Sequence, residues 1–306
     1  MSELITDIKK LQTETLENLQ SSKSKNTVRA YRSDIADFIS FCNRHNLKFL
    51  PANPNIVSLY LTNLSKTSKF STLKRRLSSL SMYHRMKGHY LDIKHPIISE
   101  NLLGIKRIKG SMQKGKKPIL FNDLKLIIDQ INQDNISNFN KLKNKALILT
   151  GFAGGFRRSE LVGLLIEDID FVEEGMKILI RRSKTDQSGE GFIKAIPYFN
   201  NQEYCPVVNL KIYLKELNLN NGRLFNLCDK SVALKIKKYS MLAGLDYNKY
   251  AGHSLRSGFA TAAAEMGAEE RSIMAMTGHK SSQMVRRYIK EANLFKNNAL
   301  NKIKLL

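Results

Sequence analysis

The chain contains no tryptophan, and only three cysteines and six prolines in 306 residues. Cys42, Cys205 and Cys228 are odd in number, far apart and in no CxxC arrangement, which argues against a disulfide framework and against a zinc site. They read as reduced thiols of a reducing compartment. Acid is scarce as well: 27 Asp+Glu stand against 50 Lys+Arg. The acidic group Glu167, Asp168 and Asp170 sits among Ile166, Ile169 and Phe171 and reads as a solvated turn rather than a metal site. No apolar run approaches the roughly 20 residues that a membrane helix needs. Residues 1–10 mix charge with apolar side chains and have no signal-peptide core. Neither a GxxxxGK[ST] loop nor a GxGxxG turn is present, so no nucleotide cofactor is implied. A soluble cytoplasmic protein without metal, cofactor or membrane is the expectation.

What is present is positive charge, a formal net +23 at pH 7. Folding does not need such a charge, which opposes compaction; it speaks to a polyanionic partner, and the usual one is nucleic acid. An apolar fraction of 42% is ordinary for a globular chain. The length fits about two domains at roughly 100–200 residues each.

Residues 1–105 read as helices only. Lys25-Asn26-Thr27 precedes Val28, Tyr31, Ile35, Phe38 and Cys42 at helical spacing. Pro54 can open a helix through Val57, Tyr60, Leu61 and Leu64. Ser71-Thr72 opens another, with Leu73, Leu77, Leu80 and Tyr83 on one stripe. Its other face carries Lys74, Arg75, Arg76, His84, Arg85 and Lys87, a cluster dense enough to face phosphate. Residues 106–118, KRIKGSMQKGKKP, have two glycines and no acid, and read as a basic linker whose Lys114, Lys116 and Lys117 would touch the polyanion. Fully extended, it spans at most about 40 Å. Residues 119–306 form a second domain. Phe121-Asn122-Asp123 caps a helix, a buried-looking helix runs from Lys143 to Phe152, and Met176–Ile180 with Phe192–Pro197 reads as a β-hairpin. The fold class is mainly α in two domains, with a small antiparallel sheet in the second.

Chemistry gathers in that second domain. His253 and Arg256 are three apart and share one face of a helix. Gly278-His279 follows, then Tyr288 nine residues later; far upstream stands Arg157-Arg158-Ser159-Glu160. Singly, each has a plain reading: an i,i+3 ion pair, a turn histidine, an amphipathic tyrosine. Together, on so basic a chain, they suit attack of a phenolic oxygen on a phosphodiester. Charge builds on the non-bridging oxygens in that reaction, and positioned arginines lower its barrier. Arg157 and Arg256 could clamp one phosphate, with Glu160 holding the Arg157 guanidinium in plane. Arg158 is a rival for Arg157, and Tyr250 a second candidate nucleophile. A histidine can share the nucleophile's proton, and Lys184, on the polar tip of the hairpin, can protonate the leaving oxygen. Two nearby arginines are expected to help the tyrosine ionise.

GFRRSELVGL, RSKTD, HSLRSGFAT, TGHKS and RRYI resemble the signature of the tyrosine recombinases, the integrase family. LKFLPANPNIVSLYLTNL and LSSLSMYHRMKGH are similar to its Cre-like branch, which has tryptophan where position 279 has the more usual histidine. The resemblance covers both halves. It implies a helical core-binding domain and a catalytic domain gripping double-stranded DNA, in a homotetramer on two duplexes with inverted-repeat target sites. It makes Arg157 the first catalytic arginine, Lys184 the hairpin lysine, His253 and Arg256 the HxxR pair, His279 the His/Trp position, Tyr288 the nucleophile and Glu160 the support of Arg157. The implied activity is site-specific recombination through a 3′-phosphotyrosyl link and a Holliday junction, in a bacterial, plasmid or phage setting on the nucleoid. A type IB topoisomerase and a catalytically silent DNA-binding regulator are the alternatives. Residues Ala292 to Leu305 are expected to form a short amphipathic helix that docks in its own domain or on a neighbour.

Overall fold

The computed structural model describes residues 2–110, 115–181, 183, 190–296 and 299–302. It divides into two compact units, residues 1–114 and 115–306.

The first unit is helical, with α1 Ser2–Ser21, α2 Lys25–Arg44, α3 Pro54–Ser65, α4 Phe70–Met86 and α5 Pro96–Lys109. Ser24 Oγ accepts from Thr27 N at 3.2 Å and caps α2, so the cap lies one residue ahead of Lys25. Asn53 caps α3 with Pro54 at its first position. Phe38, Cys42, Val57, Leu61, Leu73, Leu80 and Ile98 bury completely at the centre; each such side chain contributes about 1.5–3 kcal/mol. His84 also lies inside, contrary to its place on the basic face. Its Nε2 accepts from Ala52 N at 2.9 Å and its Nδ1 donates to Leu80 O at 2.8 Å. Burial holds its pKa below the ordinary histidine value, and the ring serves as a neutral clip between α4 and the turn before α3. Helix α5 continues to Lys109 before Gly110 turns at φ +72°, so the basic run from Lys106 begins inside a helix.

The second unit begins with an extended segment. Lys117 N donates to Lys249 O at 2.7 Å and Ile119 N to Ser254 O at 3.0 Å. Its helices are α6 Phe121–Gln133, α7 Asn138–Ala153, α8 Arg158–Val162, α9 Pro206–Leu217, α10 Asp229–Leu242, α11 His253–Glu265, α12 Glu270–Thr277 and α13 Ser282–Ala292. The extended segment runs so close to α11 that a Cβ on Gly258 would lie 2.0 Å from Ile119 O. Helix α7 is buried on nearly every side from Asn144 to Ala153, and its end delivers the Gly154-Gly155 turn.

A three-stranded antiparallel sheet in the order β1-β2-β3 is formed by β1 Ile169–Val172, β2 Gly175–Ile180 and β3 Phe192–Pro197. The hairpin strands fall where the alternation puts them. β1 was missed, because a four-residue strand gives too short an alternation to stand out from a turn. Asp168 is not solvated but buried, its carboxylate paired to the Arg181 guanidinium at 2.8 Å. On the inner face of the sheet, Ile178 of β2 stands opposite Lys194 of β3, and Met176 opposite Ile196. A lysine therefore occupies a position where the pleat demands an apolar residue.

At the C-terminal side, Ala260, Ala264, Ile273, Val285 and Tyr288 form a small separate cluster that packs α13 and α12 on α11. α13 stops at Ala292 and a 3-10 turn follows at Ala299–Lys302. The expected amphipathic helix is thus interrupted, with Ile303 and Leu305 outside the described residues. Among the described residues no helix is long and apolar enough to cross a membrane.

Candidate active site

Arg157, Glu160, His253, Arg256, His279 and Tyr288 converge on one place at the ends of α8, α11 and α12 and on the inner side of α13. Arg157 precedes α8 in extended conformation. The Glu160 carboxylate accepts from Arg157 Nη1 at 2.6 Å through one oxygen and from the Arg157 backbone N at 2.9 Å through the other. The Glu160 side chain is 1% exposed, so this pair fixes the guanidinium away from water's competition. Arg157 Nη2 reaches on to Gly278 O at 3.3 Å. Arg158, its rival, turns outward across Gly252, 3.9 Å from Asp229.

Arg256 is 1% exposed. Its fork is divided: Nη1 donates to Gly155 O at 2.9 Å and Nη2 meets His279 Nε2 at 3.0 Å. An arginine can only donate, so His279 Nε2 accepts and Nδ1 carries the proton. Nδ1 donates to Thr277 Oγ1 at 2.8 Å, and that hydroxyl donates to Ile273 O at 2.6 Å. The tautomer agrees with a His279 pKa pushed down to about 4, by burial first and then by Arg256 and Arg157. Burial and the same arginines lower His253 as well. Burial, then Arg157, brings Arg256 itself down to about 10, which leaves it charged at neutral pH.

Tyr288 is 8% exposed, with its hydroxyl 3.4 Å from His253 Nε2. Its pKa is raised, not lowered. Arg256 pulls it down as expected, but burial outweighs that pull. The phenol is therefore protonated, and its proton needs an acceptor at the moment of attack; His253 is the neutral base within reach. Tyr250 is completely enclosed, its hydroxyl on Asp123 Oδ2 at 2.9 Å, which removes it as a rival.

The sequence reading missed Lys194, which lies in the same cluster. Its signal was present: Phe192, Lys194 and Ile196 alternate onto one face of a strand, and the charged member of an apolar face is the one to question. Lys184 lies outside the described residues, as does Lys114.

The DNA-facing candidates are spread differently. Arg85, Lys87, Lys116 and Lys117 are exposed. Lys117 lies 3.3 Å from Asp123 and over the Tyr250 ring at 5.5 Å, and Lys116 Nζ donates to Asn248 O at 2.5 Å. Arg75 pairs with Asp34. Arg76 is committed inward, to Asp37, Tyr60 and Asp34, because a desolvated guanidinium must find acceptors. On that evidence Arg76 ties α4 to α2 and α3 and is not free for phosphate.

Comparison with known proteins gives the family. Residues 118–294 match the phage integrase family, and residues 14–89 match the phage integrase N-terminal SAM-like domain. The chain belongs to the phage integrase family. An integrase/recombinase XerD homologue of Selenomonas ruminantium is 41% identical over 300 residues, covering 93% of this chain and 87% of that one. The tyrosine recombinase XerD of Yersinia pestis is 24% identical over 278 residues, covering 85% of each. Among solved structures, a lambda integrase dimer on a core site has the same fold, with a TM-score of 0.58 at 18% identity, covering 90% of this chain and 93% of that one. The enzymatic class is that of the tyrosine site-specific recombinases.

Proposed function

We propose that Tyr288 is the nucleophile of a site-specific DNA strand exchange in which Arg157, Arg256, His253, His279 and Lys184 take the catalytic roles. The carrying observation is the meeting of Arg157, Arg256 and both histidines around one tyrosine, although the residues lie up to 131 positions apart in a chain of 306. The Tyr288 oxygen attacks the scissile phosphorus as its proton passes to His253. The P–O5′ bond breaks, Lys184 gives the 5′-oxygen a proton, and a 3′-phosphotyrosyl link remains. Arg157 and Arg256 hold the two non-bridging oxygens as charge grows on them, and neutral His279, accepting from Arg256 Nη2, keeps that guanidinium in place. The freed 5′-hydroxyl of a partner duplex reverses the step, through a Holliday junction. The covalent link conserves the energy of the bond, so the reaction draws on no nucleotide.

Residues 1–105 serve as the core-binding domain and 119–306 as the catalytic domain, joined by the basic stretch 106–118. Arg75, Arg85, Lys87, Lys116 and Lys117 neutralise phosphate, together with Lys114. The target is a duplex with inverted half-sites, and the working form is a homotetramer on two duplexes, in the cytoplasm at the nucleoid. Exposure of Leu294 and of Phe295, the latter at 86%, supports a tail that docks on a neighbouring protomer. The similarity of the first half to the Cre-like branch supports recombination over simple relaxation of supercoils.

The test uses a nicked suicide duplex carrying a target site selected from a random library. Wild-type protein should form a covalent protein–DNA adduct, and Tyr288→Phe should bind equally and form none. Adduct formation by the Phe variant would overturn the assignment. Relaxation of supercoils by a monomer would indicate a topoisomerase, and binding without any adduct a regulator.

A further inference from the structure

Lys194 is 1% exposed and sits on the inner face of β3. Its Nζ donates to two backbone carbonyls, Gly154 O and Met276 O, both at 2.5 Å. It also lies over the Phe156 ring, 4.3 Å from the centroid, and 5.7 Å from that of Phe192. These carbonyls lie at the end of α7 and in the last turn of α12, each just ahead of a loop that carries the site. Gly154 opens the turn to Arg157, and its neighbour Gly155 gives its own carbonyl to Arg256. Met276 is the next-to-last residue of α12, which ends at Thr277 before Gly278 turns the chain to His279. The two loops come from distant parts of the chain, and one ammonium bridges them.

We infer that Lys194 is a positioning residue for catalysis, a buried cation that locks the Arg157 loop to the His279 loop and so sets the geometry of the arginine–histidine cluster. An apolar residue is what the sheet position favours, and burying an ammonium there is costly. Two carbonyls and two aromatic faces offset part of that cost. The groups facing the ammonium are Glu160 from α8, Arg157 ahead of it, Arg256 from α11 and His279 after α12. Burial, partly countered by Glu160 and reinforced by the two arginines, brings the Lys194 pKa down to about 7. The lock is thus fully charged in mild acid and loses its charge as the pH rises through neutrality. A neutral amine has one fewer hydrogen to donate, and bonds each carbonyl more weakly.

The inference rests on the strand-exchange reading above, and the test separates the two. Single-turnover cleavage of the suicide duplex is measured at saturating protein from pH 6 to 9, for wild type, Lys194→Met and Lys194→Arg, with DNA affinity measured in parallel. Lys194→Met, close in length and without charge, should bind DNA within about twofold and cleave slower by about 10²-fold, the scale of a misplacement near 1 Å. Wild type should lose rate above neutrality, whereas Lys194→Arg, charged throughout, should keep its rate there. A Lys194→Met rate equal to wild type in the bound complex would overturn the inference. If Lys194→Met does not fold, the comparison of wild type with Lys194→Arg decides: profiles of the same shape would overturn it. Absence of any adduct from the wild-type protein would instead bring down the strand-exchange reading.

Discussion

Arg256→Lys is the sharpest probe of the clamp. The wild-type guanidinium spends its two terminal nitrogens on acceptors that point different ways, Gly155 O at 2.9 Å and His279 Nε2 at 3.0 Å. A lysine keeps the charge but brings one nitrogen to one point, so one of these acceptors loses its donor. With the site only 1% exposed, water does not replace it readily. A buried acceptor left without a partner costs about 1–3 kcal/mol. In a unit of this size that lowers the melting temperature by about 2–4 °C per kcal/mol. The chemical step should suffer more. If His279 swings away and one phosphate oxygen loses its preorganised donor, the rate falls by about 10²–10³. Single-turnover cleavage of the suicide duplex at saturating protein, with mobility-shift binding alongside, measures the two effects separately. Affinity should stay within a few-fold while cleavage collapses. Cleavage within about threefold of wild type would refute the divided fork, because a point charge would then have done the same work.

Glu160→Gln removes the counter-charge of a guanidinium held at 2.6 Å in a part-buried pair, and should cost about 1–3 kcal/mol of stability, visible as a lower urea midpoint; an unchanged midpoint would show that Arg157 holds its place unaided. His279 titrates near 4 in the folded chain against an ordinary 6.5, so between those values the unfolded chain binds more protons. This contribution to stability is present above pH 6.5 and is lost as the pH falls toward 4; a pH series of urea midpoints should decline in that window, and His279→Asn should flatten the decline. If Lys184 protonates the leaving 5′-oxygen, Lys184→Ala should be rescued on a substrate whose bridging 5′-oxygen is replaced by sulfur, a leaving group that needs no proton. Equal defects on both substrates would assign Lys184 a positioning role.

The amino-acid sequence by itself determined the helical architecture, the hairpin and the family. Apolar spacing at Leu73, Leu77 and Leu80 marks the core side of α4, and alternation through Met176, Ile178 and Ile180 marks β2, because periodicity is a local property of the chain. It also supplied the residue types from Arg157 to Tyr288, in order. Tertiary structure decided the rest. Which arginine of the 157–158 pair faces inward depends on Glu160 being buried beneath it. Arg76 and His84 lie on the basic side of α4 in sequence but are drawn inside by Asp34, Asp37 and Ala52, whose approach no local spacing encodes. The upward shift of the Tyr288 phenol follows from desolvation by packing on α11, a quantity that exists only once the chain has folded. Lys194 shows the division most clearly: the sequence puts a charge on an apolar strand face, and only the meeting of Gly154 with Met276 gives that charge its partners.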